Sequence, residues 1–351
     1  MDENIIPAAQ ENPQPSKINS YKAVCAKLGL MMCVYFLCRM MTVYVARFVF
    51  GFTDTEAMSD GMFTVISGSI SIIMVYIIPL LFTVFLFGGF RYFKSEAFKK
   101  SMKNPKNSAR AYGAFPAMYG LGYGVVLLTL LGGRIIARLS TSGEAARVEQ
   151  LFEPTSMPPT TNIAGLIMVV FMLAVAAPIV EEVWMRGIVF DALGPFGYGI
   201  TIVITSLLFG LMHGSMYMLF YTTAFGFALG YVRYATGSLL VVIVLHAIIN
   251  GVQALLITLN SLADMHDNRN ALFNTAANIY LIAMLVLVVV GIIAFIAKIP
   301  VIRKYKIENN WTEIRGKKKL GMFLISVPVM LMIILAADVH TGGMLFDMIT
   351  R

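Results

Sequence analysis

Residues 177–193 decide the fold, and they read APIVEEVWMRGIVFDAL. They end an almost uninterrupted apolar run that starts at Ile163 and is long enough to span a membrane. The charged residues Glu181, Glu182 and Arg186 lie inside this run. Ionisable groups in a membrane helix are costly and usually belong to a functional site. The stretch therefore predicts both a membrane helix and an intramembrane polar site.

The composition extends this prediction to the whole chain. Of 351 residues, 58% are hydrophobic and only 13% are charged, and the mean hydropathy is +0.77. Soluble domains carry roughly 25% charged residues. The net charge of +8 falls largely in two short segments, 91–110 and 298–319, which is how membrane proteins set their orientation. The charge therefore indicates membrane topology, and we expect a lipid bilayer and no nucleic acid as partner.

Apolar windows of about 20 residues predict the membrane spans. The chain contains nine such windows, of which the fifth is short: 24–50, 62–90, 112–131, 163–190, 198–213, 216–234, 239–259, 279–297 and 320–337. We therefore predict an all-α polytopic membrane protein, a bundle of about nine transmembrane helices around an intramembrane polar cavity.

The predicted domains follow these spans. Residues 1–23 are expected to form a disordered tail, and residues 24–160 an N-terminal unit of three spans. The latter includes segment 134–152, for which an interfacial amphipathic helix and a polar loop both stay open. Three prolines in 154–161 separate this unit from a core at 161–260, and 261–351 form a C-terminal unit.

The three central charges cannot all be explained by one ion pair. Glu182 and Arg186 are four residues apart and share a helix face, so they can pair. Glu181 is turned about 100° away and must find another partner. A purely structural ion pair is the simplest alternative, but one arginine neutralises only one of the two glutamates.

Two later spans offer partners for Glu181. Phe209 and His213 lie one turn apart at the end of the fifth span, and His246 and Asn250 lie one turn apart in the seventh. Hydrogen-bonded packing is the alternative for these histidines, whereas His266 and His340 are expected in loops. A carboxylate and an imidazole can activate water, and an imidazole with a carboxamide can stabilise an oxyanion. The same residue types could instead bind a divalent metal such as zinc, so the cofactor stays unknown.

These three motifs, in this order on successive spans, resemble the CPBP intramembrane protease family, which includes the CAAX prenyl endopeptidases and the bacterial Abi or bacteriocin-processing proteins. The resemblance covers roughly residues 163–259. It implies a helical bundle with a water-filled cavity. It also implies a role for each motif residue: Glu181 as general base, His213 holding the attacking water, His246 and Asn250 as oxyanion hole, and Glu182, Arg186 and Phe209 in support.

The span model raises one geometric difficulty. Straight fourth and fifth spans would place Glu181 near the cytoplasmic end and His213 near the outer end of the bundle. They can meet if the fourth helix is displaced so that Glu181 lies mid-membrane, or if the short fifth helix ends partway across. We predict that the second arrangement contributes.

The sequence favours an intramembrane endopeptidase that cleaves a peptide or protein substrate, prenylated or not. The alternatives are a non-catalytic scaffold or bacteriocin self-immunity protein of the same fold, and a transporter with a proton relay. Arg39, in the first span, could pair within the bundle or bind a phosphate or acidic partner at a lateral opening. We expect a bacterial plasma-membrane protein, and its oligomeric state stays open.

The basic segments predict its orientation, with the N-terminus cytoplasmic and the C-terminus outside. Reporter fusions near Lys317 should report a cytoplasmic position, and fusions near Asp60, which follows a segment without Lys or Arg, an outside position. An outside signal near Lys317 would contradict the nine-span topology.

Overall fold

The computed structural model describes residues 17–52, 58–105, 108–140, 142–153, 160, 162–265, 271–304, 307, 311 and 314–340. Every regular element in these ranges is helical, which confirms the all-α membrane fold. Six helices are long and apolar enough to cross a membrane, or seven if a bent helix pair counts as one span. All nine predicted segments contain helix, but the count of nine spans is not confirmed.

Within the described ranges, eleven helices form the bundle. They are α1 (Lys17–Phe50), α2 (Asp60–Leu86), α3 (Phe115–Leu139), α4 (Ser142–Phe152), α5 (Ile163–Phe196), α6 (Tyr198–Leu211), α7 (Met216–Thr236), α8 (Leu239–Met265), α9 (Ala271–Lys304), α10 (Gly316–Leu324) and α11 (Val327–His340). Three short helices, Arg91–Lys94, Glu96–Ser101 and Ser108–Tyr112, lie in the first basic segment.

The structure corrects two expectations. Helix α1 begins at Lys17, so residues 17–23 of the expected tail are helical. Tyr21 in this segment packs edge-on against Phe196 and Trp311, which stabilises the first turns of the helix. His340 does not lie in a loop: it ends α11, is 7% exposed and bonds the Ala336 carbonyl at 2.7 Å through Nδ1. Of segment 134–152, residues 134–139 belong to α3 and residues 142–152 form α4, and Phe152 packs on Gly133 of α3. Residues 1–16, 154–159, 161 and His266 lie outside the described residues.

Three π-helical turns widen the helices around the central charges. They are Ile72–Ile77 in α2, and Met172–Ala176 and Val183–Val189 in α5. Pro79 and Pro178 directly follow the first two turns. A proline ring lacks an N–H and clashes with the carbonyl four residues earlier, so the preceding turn opens. Two of the three π-turns therefore have a cause in the sequence.

A helical hairpin resolves the depth of Glu181 and His213. Helix α5 continues beyond the predicted end to Phe196, and α6 starts at Tyr198 after Gly197, whose φ is 116°. Glu181 lies 15 residues before Phe196, and His213 lies 15 residues after Tyr198. At 1.5 Å per residue both lie about 22 Å from the hairpin turn. Helix α5 is longer than expected. The 14 residues of α6 extend only about 21 Å, less than the roughly 30 Å of a bilayer core, in agreement with the predicted short fifth helix.

Buried contacts anchor this hairpin turn to the ends of other helices. Lys319 of α10 is 1% exposed, and its Nζ donates to the carbonyls of Phe196 at 2.8 Å and Trp311 at 2.6 Å. The Tyr21 hydroxyl donates to the Lys319 carbonyl at 3.0 Å. The carbonyls of Phe196 and Trp311 thus supply the acceptors that a buried lysine needs, and these bonds hold the turn in place.

Arg39 and Tyr35 of α1 cap the end of α6. A helix that ends inside a membrane leaves carbonyls that need donors. The Met212 carbonyl accepts from the Tyr35 hydroxyl and, at 3.5 Å, from Arg39 Nη1, and the His213 carbonyl accepts from Arg39 Nη2 at 3.3 Å. A Cβ on Gly214, whose φ is +63°, would lie 2.7 Å from this guanidinium. Arg39 therefore pairs within the bundle. Its positive charge lies at the C-terminal end of α6, where the helix dipole stabilises a cation.

Replacing Arg39 with leucine should lower the free energy of unfolding by about 1–3 kcal/mol, because the partly buried His213 carbonyl loses its donor. Denaturant titration of the purified protein in mild detergent measures this loss. The matched control is Arg47→Leu, an exposed residue in the last turn of the same helix, which should change stability little. Equal effects of both substitutions would contradict the capping role.

Candidate active site

One oxygen of Glu182 lies at the centre of the polar site. Glu182 Oε1 accepts from Arg186 Nη1 at 3.0 Å and lies 2.8 Å from His246 Nδ1. Glu182 and Arg186 are both completely buried, and His246 is 3% exposed. The predicted pairing of Glu182 with Arg186 is present within α5. The contact of Glu182 with His246 joins α5 to α8. A buried charge is tolerated when it is paired and hydrogen-bonded in this way.

Arg186 connects the site to α6 and α7. Its Nη2 donates to the Gly226 carbonyl at 3.2 Å, and its guanidinium lies 4.2 Å from the centre of the Phe209 ring. A Cβ on Gly226 would lie 3.3 Å from Nη2 and 3.0 Å from the Ser206 Cα. The glycine thus permits the close approach of α6, α7 and the guanidinium. Among the described residues, Glu182 Oε2 and Arg186 Nε have no hydrogen-bond partner.

Glu181 faces the same histidine from its other side. Its Oε1 accepts from the Tyr76 hydroxyl at 3.3 Å, and its Oε2 lies 4.0 Å from His246 Nε2. The side chain is 5% exposed. A separation of 4.0 Å is too long for a direct hydrogen bond. Tyr76 holds one carboxylate oxygen, and the other faces the imidazole across a gap.

Sequence reasoning did not identify Tyr76. It lies in the π-turn Ile72–Ile77 of α2, a span that has no charged side chain after Asp60 at its first position. Two signals were present in the sequence. Tyr76 is the one tyrosine in the run 70–87, whose other residues are apolar or carry small hydroxyl groups, and Pro79 follows three residues later. Neither signal indicates that this tyrosine faces Glu181, because α2 and α5 are far apart in the chain.

His246 is oriented by its contact with Glu182. A carboxylate accepts hydrogen bonds, so a proton on His246 Nδ1 satisfies the 2.8 Å contact. The Nε2 atom then faces Glu181, as an acceptor in the neutral ring and as a donor in the imidazolium.

His213 approaches the same centre from the end of α6. Its Nδ1 lies 2.7 Å from the Phe209 carbonyl, which can only accept, so Nδ1 carries the proton and Nε2 is an acceptor. The centre of its ring lies 4.8 Å from that of Phe209, and the Phe209 ring lies 5.8 Å from the His246 ring. Phe209 therefore separates the two histidines and also stacks on Arg186.

Asn250 lies one turn beyond His246 on α8, and its Nδ2 donates to the Leu173 carbonyl at 2.9 Å. Leu173 belongs to the π-turn Met172–Ala176 of α5. This contact uses one of the two amide hydrogens, and the second stays available. The structure thus connects six of the seven sequence-predicted residues through side-chain contacts, whereas Asn250 contacts α5 at Leu173.

The described donors do not fit a protein-bound metal. In the part of the chain that the structure describes, no three His, Cys, Asp or Glu side chains are grouped to hold a metal ion. The Nδ1 atoms of His213 and His246 are occupied by Phe209 and Glu182, and Arg186 occupies Glu182. The candidate zinc site of the sequence therefore has no matching ligand set here.

A second polar cluster fixes the end of α5 nearest the hairpin turn. The Tyr92 hydroxyl donates to Asp191 Oδ2 at 2.8 Å, and Arg233 Nη2 contacts Asp191 Oδ1 at 3.1 Å. Arg233 Nε also donates to the Arg186 carbonyl at 3.0 Å, within the third π-turn. Burial and the Asp191 carboxylate raise the pKa of Tyr92, which keeps the phenol protonated as a donor. Sequence reasoning did not identify this cluster.

Together, the fold and the site define an integral membrane protein with a buried acid and imidazole centre. Residues 163–252 match a family model described as type II CAAX prenyl endopeptidase Rce1-like. No curated protein and no solved structure matches the chain. The match confirms the resemblance to the CPBP and CAAX protease family over this segment. The matched range contains all seven predicted site residues, but neither Tyr76 nor Arg39.

Replacing Arg186 with methionine should cost about 3–5 kcal/mol of stability, because the buried Glu182 carboxylate loses its cation. The double variant Glu182→Gln, Arg186→Met should recover part of this loss, because no unpaired buried charge is left. Denaturant titration in detergent gives both values. A double variant no more stable than Arg186→Met would contradict the pairing argument.

Proposed function

We propose that the protein is an intramembrane endopeptidase that hydrolyses a peptide bond of a membrane-associated peptide or protein, with Glu181 as general base. One observation carries this proposal: Tyr76 holds one oxygen of Glu181, while the other faces the imidazole of His246 across 4.0 Å. A structural ion pair would not leave a buried carboxylate oxygen facing an unoccupied imidazole nitrogen. One water molecule at hydrogen-bond distance can contact both groups, and the scissile carbonyl would lie beside it.

In the first step, Glu181 Oε2 takes a proton from water. The Tyr76 hydroxyl occupies Oε1, so Oε2 is the oxygen open to the water. The second hydrogen of the same water is directed to Nε2 of His213, which is an acceptor because Nδ1 donates to Phe209. General bases in such positions accelerate reactions by about 10²–10⁴-fold. The water oxygen then attacks the carbonyl carbon.

In the second step, His246 and Asn250 stabilise the oxyanion. His246 can donate from Nε2 only as the imidazolium, because its Nδ1 proton is directed to Glu182. The Glu182 carboxylate compensates the positive charge of this ring, and Arg186 holds the carboxylate in place. Asn250 contributes its second amide hydrogen. Preorganised donors of this kind lower the barrier because they do not reorient during the reaction.

In the last step, the carbon–nitrogen bond breaks and the electron pair of that bond goes to nitrogen. Protonated Glu181 transfers its proton to this nitrogen, which leaves as an amine. The attacking water has then supplied a hydroxyl group to the new carboxyl end and a proton to the leaving group. Glu181 returns to the carboxylate, and no step is assigned to a metal.

The proposed orientation in the membrane is supported by contacts of the first basic segment. The Ser238 hydroxyl, between α7 and α8, donates to the carbonyls of Ser101 at 3.3 Å and Lys103 at 2.8 Å. Tyr92 of the same segment bonds Asp191 near the α5–α6 turn. Both hairpin turns therefore lie beside a basic segment, which is expected on the cytoplasmic side of a bacterial plasma membrane.

Glu181→Gln should lower the rate of cleavage by about 10²–10⁴-fold, because the amide cannot take a proton from water. The assay uses purified protein and a fluorogenic peptide with an S-farnesylated Cys-aliphatic-aliphatic-Met end, alongside the same peptide without the lipid. Tyr76→Phe should give a smaller decrease, because it removes only the donor that orients the carboxylate.

The exposed Glu96→Gln is the matched control, and circular dichroism checks the folding of each variant. A metal chelator should leave the cleavage rate unchanged. Full activity of Glu181→Gln would overturn the mechanism. Absence of cleavage by the folded native protein would instead favour the scaffold or immunity alternative.

A further inference from the structure

The polar face of α8 continues beyond the residues assigned to catalysis. Gln253 lies seven residues after His246, so helical geometry turns it by only about 20° from His246 and places it about 10 Å further along the axis. Asn250 lies between them on the same face. Gln253 also lies one residue beyond the segment that matches the family model.

The side chain of Gln253 is held by a partner on α3. The Tyr123 hydroxyl donates to Gln253 Oε1 at 3.2 Å. This contact uses the acceptor of the amide and directs its Nε2 donors elsewhere. No described residue bonds Nε2, and the side chain is exposed at the surface of the bundle. Exposed amide donors are costly in a membrane unless a polar partner reaches them.

A row of aromatic rings connects this amide to the active site. The Phe225 ring lies 5.5 Å from the His246 ring, Tyr221 stacks on Phe225 at 6.4 Å, and Tyr123 lies 6.2 Å from Tyr221. The row therefore runs along α7 and ends on α3, opposite the polar face of α8. The aromatic row offers apolar contact, and the polar face of α8 offers hydrogen-bonding groups. A peptide in a membrane would require both.

We propose that Gln253 is a specificity-determining residue that donates from Nε2 to a backbone carbonyl of the substrate, about three residues from the scissile bond. An extended peptide advances about 3.3 Å per residue, so the 10 Å between His246 and Gln253 corresponds to about three residues. Tyr123 orients the amide, and the aromatic row packs against the substrate side chains between the two positions.

This inference rests on the proposed endopeptidase activity and deepens it. Backbone recognition by a carboxamide tolerates different side chains, so it selects an extended peptide at this depth rather than a particular sequence. The contact is made in both the ground state and the transition state. Its loss should therefore raise KM and leave kcat unchanged.

The test compares Gln253→Leu, Gln253→Glu and Tyr123→Phe with the native protein on the farnesylated peptide described above. Gln253→Leu should raise KM about tenfold, the loss of one hydrogen bond, with kcat unchanged within about twofold. Gln253→Glu keeps the acceptor for Tyr123 but lacks the amide donors, and should raise KM at least as much. Tyr123→Phe should have a smaller effect. Leu255→Ala, two residues further on and 45% exposed, is the matched control.

A second arm identifies the substrate atom. Amide-to-ester replacements weaken single carbonyl acceptors along the peptide on both sides of the scissile bond. One replacement about three residues away should raise KM for the native protein and have no further effect in Gln253→Leu. Binding of the labelled peptide to the Glu181→Gln variant gives the same comparison without turnover.

The outcomes separate the two proposals. If the native protein cleaves the peptide and Gln253→Leu has the native KM, the role of Gln253 is overturned while the activity stands. If Gln253→Leu and Leu255→Ala raise KM equally, the effect is one of packing, and the role is likewise overturned. If the folded native protein neither binds nor cleaves the peptide, the proposed activity is overturned and this inference with it.

Discussion

The arrangement of the site depends on one buried carboxylate oxygen that contacts two polar side chains on different helices. Glu182 Oε1 binds Arg186 on its own helix and His246 on α8, and Arg186 in turn binds the Gly226 carbonyl on α7. Removing any member would leave a buried polar group without its partner, which is costly where no water replaces it. Three helices are therefore held in one register, and Glu181 remains free of this pairing.

The irregular backbone near the site likewise depends on polar side chains that satisfy its carbonyls. The π-turns of α5 and the early end of α6 present carbonyls that a regular helix would satisfy internally. Asn250 bonds Leu173, Arg233 bonds Arg186, and Tyr35 and Arg39 bond Met212 and His213. Polar side chains that might be assigned only to chemistry thus also support the backbone that positions it. The irregularities in turn bring Glu181, His213 and His246 to a common depth.

Several features of the candidate site could be predicted because they follow from helical periodicity. The pairing of Glu182 with Arg186 and the independence of Glu181 depend only on residues within two turns of one helix. The association of His213 with Phe209 and of Asn250 with His246 has the same local origin. Tyr76 and Gln253 could not be assigned in this way. Their partners, Glu181 and Tyr123, belong to other helices, and periodicity does not state which helix faces meet.

From the sequence alone, three properties could be predicted: the helical membrane fold, the residues that share each helix face, and the motifs that carry the family resemblance. These properties depend on local composition and spacing, which the chain carries wherever its helices pack. The positions of Glu181 and His213 relative to the hairpin turn depend on the tertiary structure. The same is true of the 4.0 Å separation of Glu181 from His246 and of the contact between Glu181 and Tyr76. The position of the Gly197 turn and the extra residues of the π-turns set the depth and rotation of each helix. Such shifts depend on how carbonyls and cations are satisfied between helices, so they arise only when the bundle is assembled.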